Sequence, residues 1–322
     1  FLTVPTTSPF QPALHTIIGS GWIDANTNCE GNGIVTAYSG ESYVVRIGDT
    51  AYTYQPTPAY KASEIKYAVS VVEGVNDFFI YRYAVVLQSG GHTAAQQPDF
   101  LVEITDINGV VLDPDCGQYH FTAPTSGPPP AGSGWNLCGS DVYWRNWTTV
   151  GMDLSDYAGQ TVYVRFKVQG CVYRTHFGYA YVSAYCSSMN IALSGCEGTG
   201  IVTMTGPPGF AEYEWSGPGP TGPVVGTGQS CTITAAQGAV TGNVFYLKLT
   251  AVNGCVLTKV MQTIMFTQVS ADYTSIINCV GNQSTFTDNS TSTNPSQPIV
   301  QRKWRFGAGE PYTATTANAV TN

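Results

Sequence analysis

The sequence predicts an all-β chain of tandem β-sandwiches, and three observations predict it. Thirty-five glycines and 19 prolines among 322 residues leave little room for long helices. Alternation of apolar and polar residues with period two recurs along the chain, whereas no 11-residue window keeps a 3.6-residue apolar period. The length exceeds one ordinary sandwich and suits two or three domains.

Taken in order, the run Phe78–Leu87 is apolar or aromatic except for Arg82 and reads as a central strand buried on both faces. Asn108-Gly109 separates Leu101–Ile107 from Val110–Leu112, a two-residue hairpin signal of the I′ type. Thr122–Gly134, with Pro124, Pro128, Pro129 and Pro130, is a stiff loop inside the first module, because strands resume after it. In Thr161–Val168 the residues Val162, Val164, Phe166 and Val168 share one face. Phe245, Leu247 and Leu249 do the same in Val244–Thr250, and Asn253-Gly254 gives a second turn signal before Cys255. Composition shifts near 186–190 and 269–272, so the predicted domains are 1–187, 188–270 and 271–322. Cys29–Thr36 (CEGNGIVT) recurs as Cys196–Thr203 (CEGTGIVT), and Cys279-Val280-Gly281 echoes its start.

Thirteen basic against 21 acidic side chains leave a net charge of −8. That balance excludes a phosphate-tracking nucleic-acid binder and docking on anionic lipid. Only 11% of residues are charged, yet 43% are hydrophobic, so cores can be filled and solubility rests on neutral polar side chains. No run of 18 uninterrupted apolar residues is present, so no membrane insertion is expected. Phe1 follows no basic leader, and the chain closes on a polar run. Both features are read as a mature secreted piece of a longer protein.

Nine cysteines without a Cys-x-x-Cys pair point to disulfides and an oxidising compartment. Cys116 and Cys138 close the Pro-rich loop, Cys171 and Cys186 flank the strand Gly178–Tyr185, and Cys196 and Cys255 lie near the two ends of the second module. Those are the expected pairs. Cys29 and Cys231 either pair with each other or stay buried and free, and Cys279 has no partner within the chain.

Among candidate sites, Tyr143, Trp144 and Trp147 are close enough to build an aromatic platform for sugar rings. Strict alternation, however, sends Tyr143 and Trp147 to one face and Trp144 to the other. Asp153 and Asp156 combine turn chemistry with the oxygen donors that a structural calcium ion takes, the turn role being favoured. Asp106, Asp113 and Asp115 form a second acidic cluster of the same kind. His176, beside the Cys-flanked strand, is read as a structural histidine, with ligation as the alternative. No nucleophile elbow, zinc-protease or phosphate-loop motif occurs, so no enzyme is expected.

The segment Asp153-Leu154-Ser155-Asp156-Tyr157-Ala158-Gly159-Gln160-Thr161-Val162 resembles a jelly-roll pattern shared by MAM-like domains and carbohydrate-binding sandwiches. With Gly170-Cys171, His176-Phe177-Gly178-Tyr179-Ala180-Tyr181, Tyr83–Gln88, His92 and Gln97–Phe100, it is similar to the large surface proteins of gliding Bacteroidota exported by the type IX system. That likeness covers roughly residues 15–187. Residues 188–270, with Cys196, Trp215 and Asn253-Gly254-Cys255, resemble the small Ig-like repeats of those proteins. Residues 271–322 resemble the start of a PKD domain, except that Trp304-Arg305-Phe306-Gly307-Ala308-Gly309 replaces both acidic positions of its hallmark. The resemblance implies a bacterial cell-surface adhesin or stalk, used in attachment to polysaccharide or abiotic surfaces and in gliding, with further domains as neighbours. The alternatives are a glycan-binding accessory module of a secreted hydrolase and a structural subunit of an extracellular filament.

Overall fold

A computed structural model describes residues 14–29, 31–50, 62–173, 175–196, 201–240, 242–263, 269–277, 284–292, 299, 302–305, 313–315 and 318–321. Its strands are antiparallel, and the helices among these residues are three single turns of 3₁₀ type.

The first sandwich uses β1 (His15–Gly19), β2 (Tyr43–Gly48), β3 (Ala62–Ser70), β4 (Phe78–Gln88), β5 (Asp99–Thr105), β6 (Gln118–Thr122), β7 (Asn136–Cys138), β8 (Val142–Asp153), β9 (Thr161–Gln169) and β10 (Gly178–Ser187). A six-stranded sheet runs β1-β2-β10-β4-β8-β7 and a four-stranded sheet β3-β9-β5-β6. The chain switches sheet at most connections, as a jelly roll does. Between the sheets, Phe79, Tyr81, Tyr83, Val85 and Leu87 of β4 meet Phe100 and Val102 of β5 and Val162, Val164, Phe166 and Val168 of β9. Every second residue of β9 is buried, as its alternation requires. β4 lies between β10 and β8 and is buried on both faces, which explains its nearly unbroken apolar run.

A second apolar cluster lies on the outer face of the six-stranded sheet. Val44, Ala84, Val86, Trp144, Tyr179 and Tyr181 there pack under Ile34 and Ala37. The covering segment, residues 20–42, carries little regular structure beyond one isolated bridge between Ile23 and Val35. Cys29 joins Cys138 of β7, with Cα atoms 5.5 Å apart, and staples this cover to the sheet. Asp24, 6% exposed, accepts hydrogen bonds from the hydroxyls of Tyr179 and Tyr181 and from the Asn26 N–H. Burial first, and then the Asp24 charge, push both phenols well above their usual pKa, so they stay protonated as donors.

Further along lie β11 (Ala192–Cys196), β12 (Ile201–Thr205), β13 (Glu212–Ser216), β14 (Val224–Thr227), β15 (Ser230–Thr234), β16 (Val244–Thr250) and β17 (Val256–Thr263). They form the sheets β11-β12-β15 and β14-β13-β16-β17. Trp215, Ile233, Phe245, Leu247 and Leu249 are buried there. Short strands β18 (Val269–Ser270), β19 (Tyr273–Ile276), β20 (Ser284–Asp288), β21 (Thr291–Ser292), β22 (Arg302–Trp304), β23 (Thr313–Thr315) and β24 (Asn318–Thr321) follow. By compactness the chain divides into two units. One is Phe1–Ile191 with Gly206–Glu214 and Leu247–Val260; the other is Ala192–Thr205, Trp215–Tyr246 and Met261–Asn322. The first unit therefore takes residues 188–191, 206–214 and 247–260 from the predicted 188–270 domain, and residues 271–322 group with the second unit. Inside the first unit, Phe210 stacks on Phe78 at 5.8 Å and Cys255 is bonded to Cys116. Phe306–Gly309 of the PKD-like hallmark and Cys279 lie outside the described residues.

The disulfides correct the expected pairs. Cys138 bonds to Cys29 because the Pro-rich segment crosses from β6 in one sheet to β7 in the other, which separates it from Cys116. Cys116 takes Cys255 instead, so the pair expected for Cys196 and Cys255 is not made. Cys171 and Cys186 are free thiols. They sit at opposite ends of β10, a span of roughly 25 Å at 3.3 Å per residue, which no disulfide bridges. Cys231 is buried and free. The internal repeat takes two conformations: Gly31–Thr36 belongs to the irregular cover, whereas Ile201–Thr203 lies in β12. At Asn108-Gly109 the turn closes by the Gly109 N–H donating to the Asp106 carbonyl. Gly109 itself has φ 85°, giving a four-residue turn with a glycine bulge instead of a I′ loop.

Candidate functional site

A one-residue bulge decides the fate of the predicted platform. Tyr83 faces Thr148 but Val85 faces Arg145, so β8 carries one residue more than β4 between these pairs. The extra residue reverses the alternation and puts Trp144 and Trp147 on the same, outer face. Trp144 is 8% exposed beneath the cover, and Tyr143 is fully buried on the opposite face, its hydroxyl donating to the Gly127 carbonyl. Of the three, only Trp147 stays partly exposed. The platform of Tyr143, Trp144 and Trp147 is therefore not formed.

A different aromatic strip lies over the cover, and sequence reasoning missed it. Trp147 Nε1 donates to the Val35 carbonyl at 2.7 Å, and its ring meets Tyr38 edge-on at 6.0 Å. Next to Val35, the Thr36 N–H donates to the carbonyl of Trp22, a residue 72% exposed. Ile23 and Val35 are about half-exposed between them. On the other side, the Arg82 guanidinium lies 4.5 Å over Tyr38 and 5.3 Å from the Tyr185 ring. Arg82 also donates to Glu41 at 2.6 Å, and Ser183 donates to the same carboxylate at 2.8 Å. The surface thus alternates aromatic faces with a small, already paired polar group. No spacing rule marks Trp22 or Tyr38, because an irregular segment has no period.

Asp153 Oδ1 accepts the Ser155 N–H at 2.9 Å, a turn role, and Asp113 likewise caps the Cys116 N–H. Asp113, Asp153 and Asp156 line a cavity of about 180 Å³ with Tyr157. Burial and then these three charges raise the Tyr157 pKa. Asp106 is a turn acceptor too, taking the N–H groups of Asn108 and Val110.

The loops at one end of β4, β9 and β10 bring together His92, Cys171 and His176. Their ligand atoms all lie within 4.8 Å of one another, the one such group of three among the described residues. Cys171 is 2% exposed, and the His176 Nδ1 lies 3.3 Å from its sulfur. Burial, followed by the neighbouring His92, lowers the His176 pKa and favours the neutral ring. The sequence singled out His176 as a possible ligand but did not join it to His92, 84 positions upstream.

Neither a protein-family model nor a curated protein matches the chain. Among solved structures, it is similar to the glycoside hydrolase domain of Endo-D from Streptococcus pneumoniae R6. The two align at TM-score 0.24 and 13% identity over 78% of this chain and 36% of that one. TmCBM61, solved in complex with β-1,4-galactotriose, aligns at TM-score 0.26 and 8% identity over 54% of this chain and 83% of its own. A β-1,2-glucanase from Parabacteroides distasonis aligns at 0.20 and 11% over 70% of this chain and 32% of its own. Sandwiches of many functions share overlaps of this depth, so function must be argued from this chain's own side chains.

Proposed function

We propose that the chain is a non-catalytic attachment segment of an extracellular surface protein, and that it holds polysaccharide on the strip formed by Trp22, Trp147, Tyr38, Arg82 and Tyr185. One observation carries the reading. Trp22, 72% exposed, stands on a segment stapled by a disulfide, and the same segment carries Tyr38, whose ring meets Trp147 and lies under the guanidinium of the paired Arg82–Glu41 group. Exposed apolar clusters rimmed by polar groups are where folded proteins meet partners. Flat rings stack on the C–H faces of sugars, while guanidinium and carboxylate groups hydrogen-bond hydroxyls. Two disulfides support maturation in an oxidising, extracytoplasmic setting. No helix among the described residues is long and apolar enough to cross a membrane. The motif resemblance over residues 15–187 supports an adhesin of the type IX-exported, gliding-cell kind.

The test is binding of the purified 322-residue chain to a panel of soluble and insoluble polysaccharides. Trp22→Ala, which alters an exposed side chain, is expected to weaken retention at least tenfold with an unchanged melting temperature. The low charge predicts weak dependence on salt. Binding that survives both Trp22→Ala and Trp147→Ala, or no polysaccharide binding at all, would overturn the assignment.

A further inference from the structure

We propose that His92, Cys171 and His176 form a site for a borderline-soft transition-metal ion, Zn²⁺ or Cu⁺, bound through two imidazole nitrogens and one thiolate. Zinc bonds of about 2.0–2.3 Å place neighbouring ligand atoms roughly 3.4–3.7 Å apart in a tetrahedron. The donors here lie within 4.8 Å, and one pair is already at 3.3 Å. Small rotations of the side chains therefore close the set. Two histidines and one thiolate are a recurrent donor set for zinc with an open fourth position and for copper.

Three independent features point to a ligand. First, the Nε2 of His92 is buried without a hydrogen-bond partner, a state native proteins avoid unless something else satisfies the atom. Second, Cys171 is a free thiol, 2% exposed, whose sulfur already lies 3.3 Å from the His176 Nδ1. Its sulfur accepts the Thr175 N–H at 3.3 Å, which fixes the thiol beside the two imidazoles. Third, any side chain at Gly90 would put its Cβ 2.3 Å from His92 Nε2 and 2.4 Å from His176 Nδ1. Gly90 lies outside the left-handed region, so it is glycine to let the two imidazoles approach each other and not for its backbone.

The scaffold holds the donors in place without a metal. The Cys171 N–H donates to the His176 carbonyl and the Val172 N–H to the Gln96 carbonyl, which ties the two loops together. Buried Gln97 accepts the Gly90 N–H and donates to Ser89 and the Pro124 carbonyl. Tyr173 packs on the His92 ring at 4.7 Å and shields it. On binding, the metal replaces the Thr175 hydroxyl, now 3.0 Å away, as the partner of His176 Nδ1.

The experiment titrates the chelator-treated full chain, its disulfides intact and its free thiols kept from oxidation, with Co²⁺ under anaerobic conditions, followed by displacement with Zn²⁺ or Cu⁺. The expected result is a sulfur-to-cobalt charge-transfer band that saturates at one equivalent, with displacement identifying the preferred ion. Cys171→Ser should abolish the band. His92→Gln, which keeps the thiol, should weaken binding at least tenfold with retained near-UV circular dichroism. If Cys171→Ser fails to fold, Gly90→Ala and His92→Gln decide the matter by the same tenfold criterion. Absence of the band in the disulfide-intact wild type, affinity unchanged in both His92→Gln and Gly90→Ala, or a thiol assay showing Cys171 locked in an intermolecular disulfide would each overturn the proposal.

Discussion

The two faces of the six-stranded sheet are both buried, but by different means. The inner face packs against a second sheet, and its side chains come from regular alternation in β4, β5 and β9. The outer face packs under residues 20–42, which have almost no regular structure and are held by a disulfide, a buried carboxylate and an indole hydrogen bond. Apolar burial alone organises the first interface, because strand periodicity already presents a continuous face. The second needs individual attachments, because an irregular segment must have each of its polar groups satisfied separately.

The largest break in this comparison is expected on the inner face. Phe166→Ala removes a ring 1% exposed between the sheets, and urea unfolding should show a loss of about 3–5 kcal/mol in one cooperative transition. Opening the staple with Cys29→Ser should cost about 2–4 kcal/mol. Its signature differs, however: hydrogen exchange should accelerate over residues 20–42 while β4 and β9 keep their protection. If all strands lose protection equally, the cover is not a separate layer. Asp24→Ala sharpens the same point, since it strands the hydroxyls of Tyr179 and Tyr181. It should cost about 2 kcal/mol by urea unfolding, with greater quenching of tryptophan fluorescence as the cover loosens.

The smallest effect serves as a control on the solvated face of the other sheet. His120 pairs with Asp99 at 3.0 Å, and this hydrogen bond raises the histidine pKa. Its stabilisation is therefore complete below the unfolded value of about 6.5 and fades as pH rises through the higher folded value. Half of the histidine side chain is exposed, so screening limits the gain to a few tenths of a kcal/mol. The stability gap between wild type and His120→Gln should shrink as pH rises from roughly 6 to 8. A gap that grows over that range would show that the pair is not formed.

The all-β class, the doubly buried strand at Phe78–Leu87, the inward row Val162, Val164, Phe166 and Val168, and the turns at Gly109 and Gly254 were all legible in the sequence. Each rests on interactions within a few residues, where periodicity and backbone freedom act directly. The cysteine partners, the cover with its exposed Trp22, and the meeting of His92 with Cys171 and His176 were decided only in the tertiary structure. Two physical reasons account for this. Sheet switching carries sequence neighbours such as Cys116 and Cys138 apart and brings distant loops together at one end of the strands. A single bulge in β8 shifts Trp147 to the face opposite the one strict alternation assigns, and no local pattern announces it.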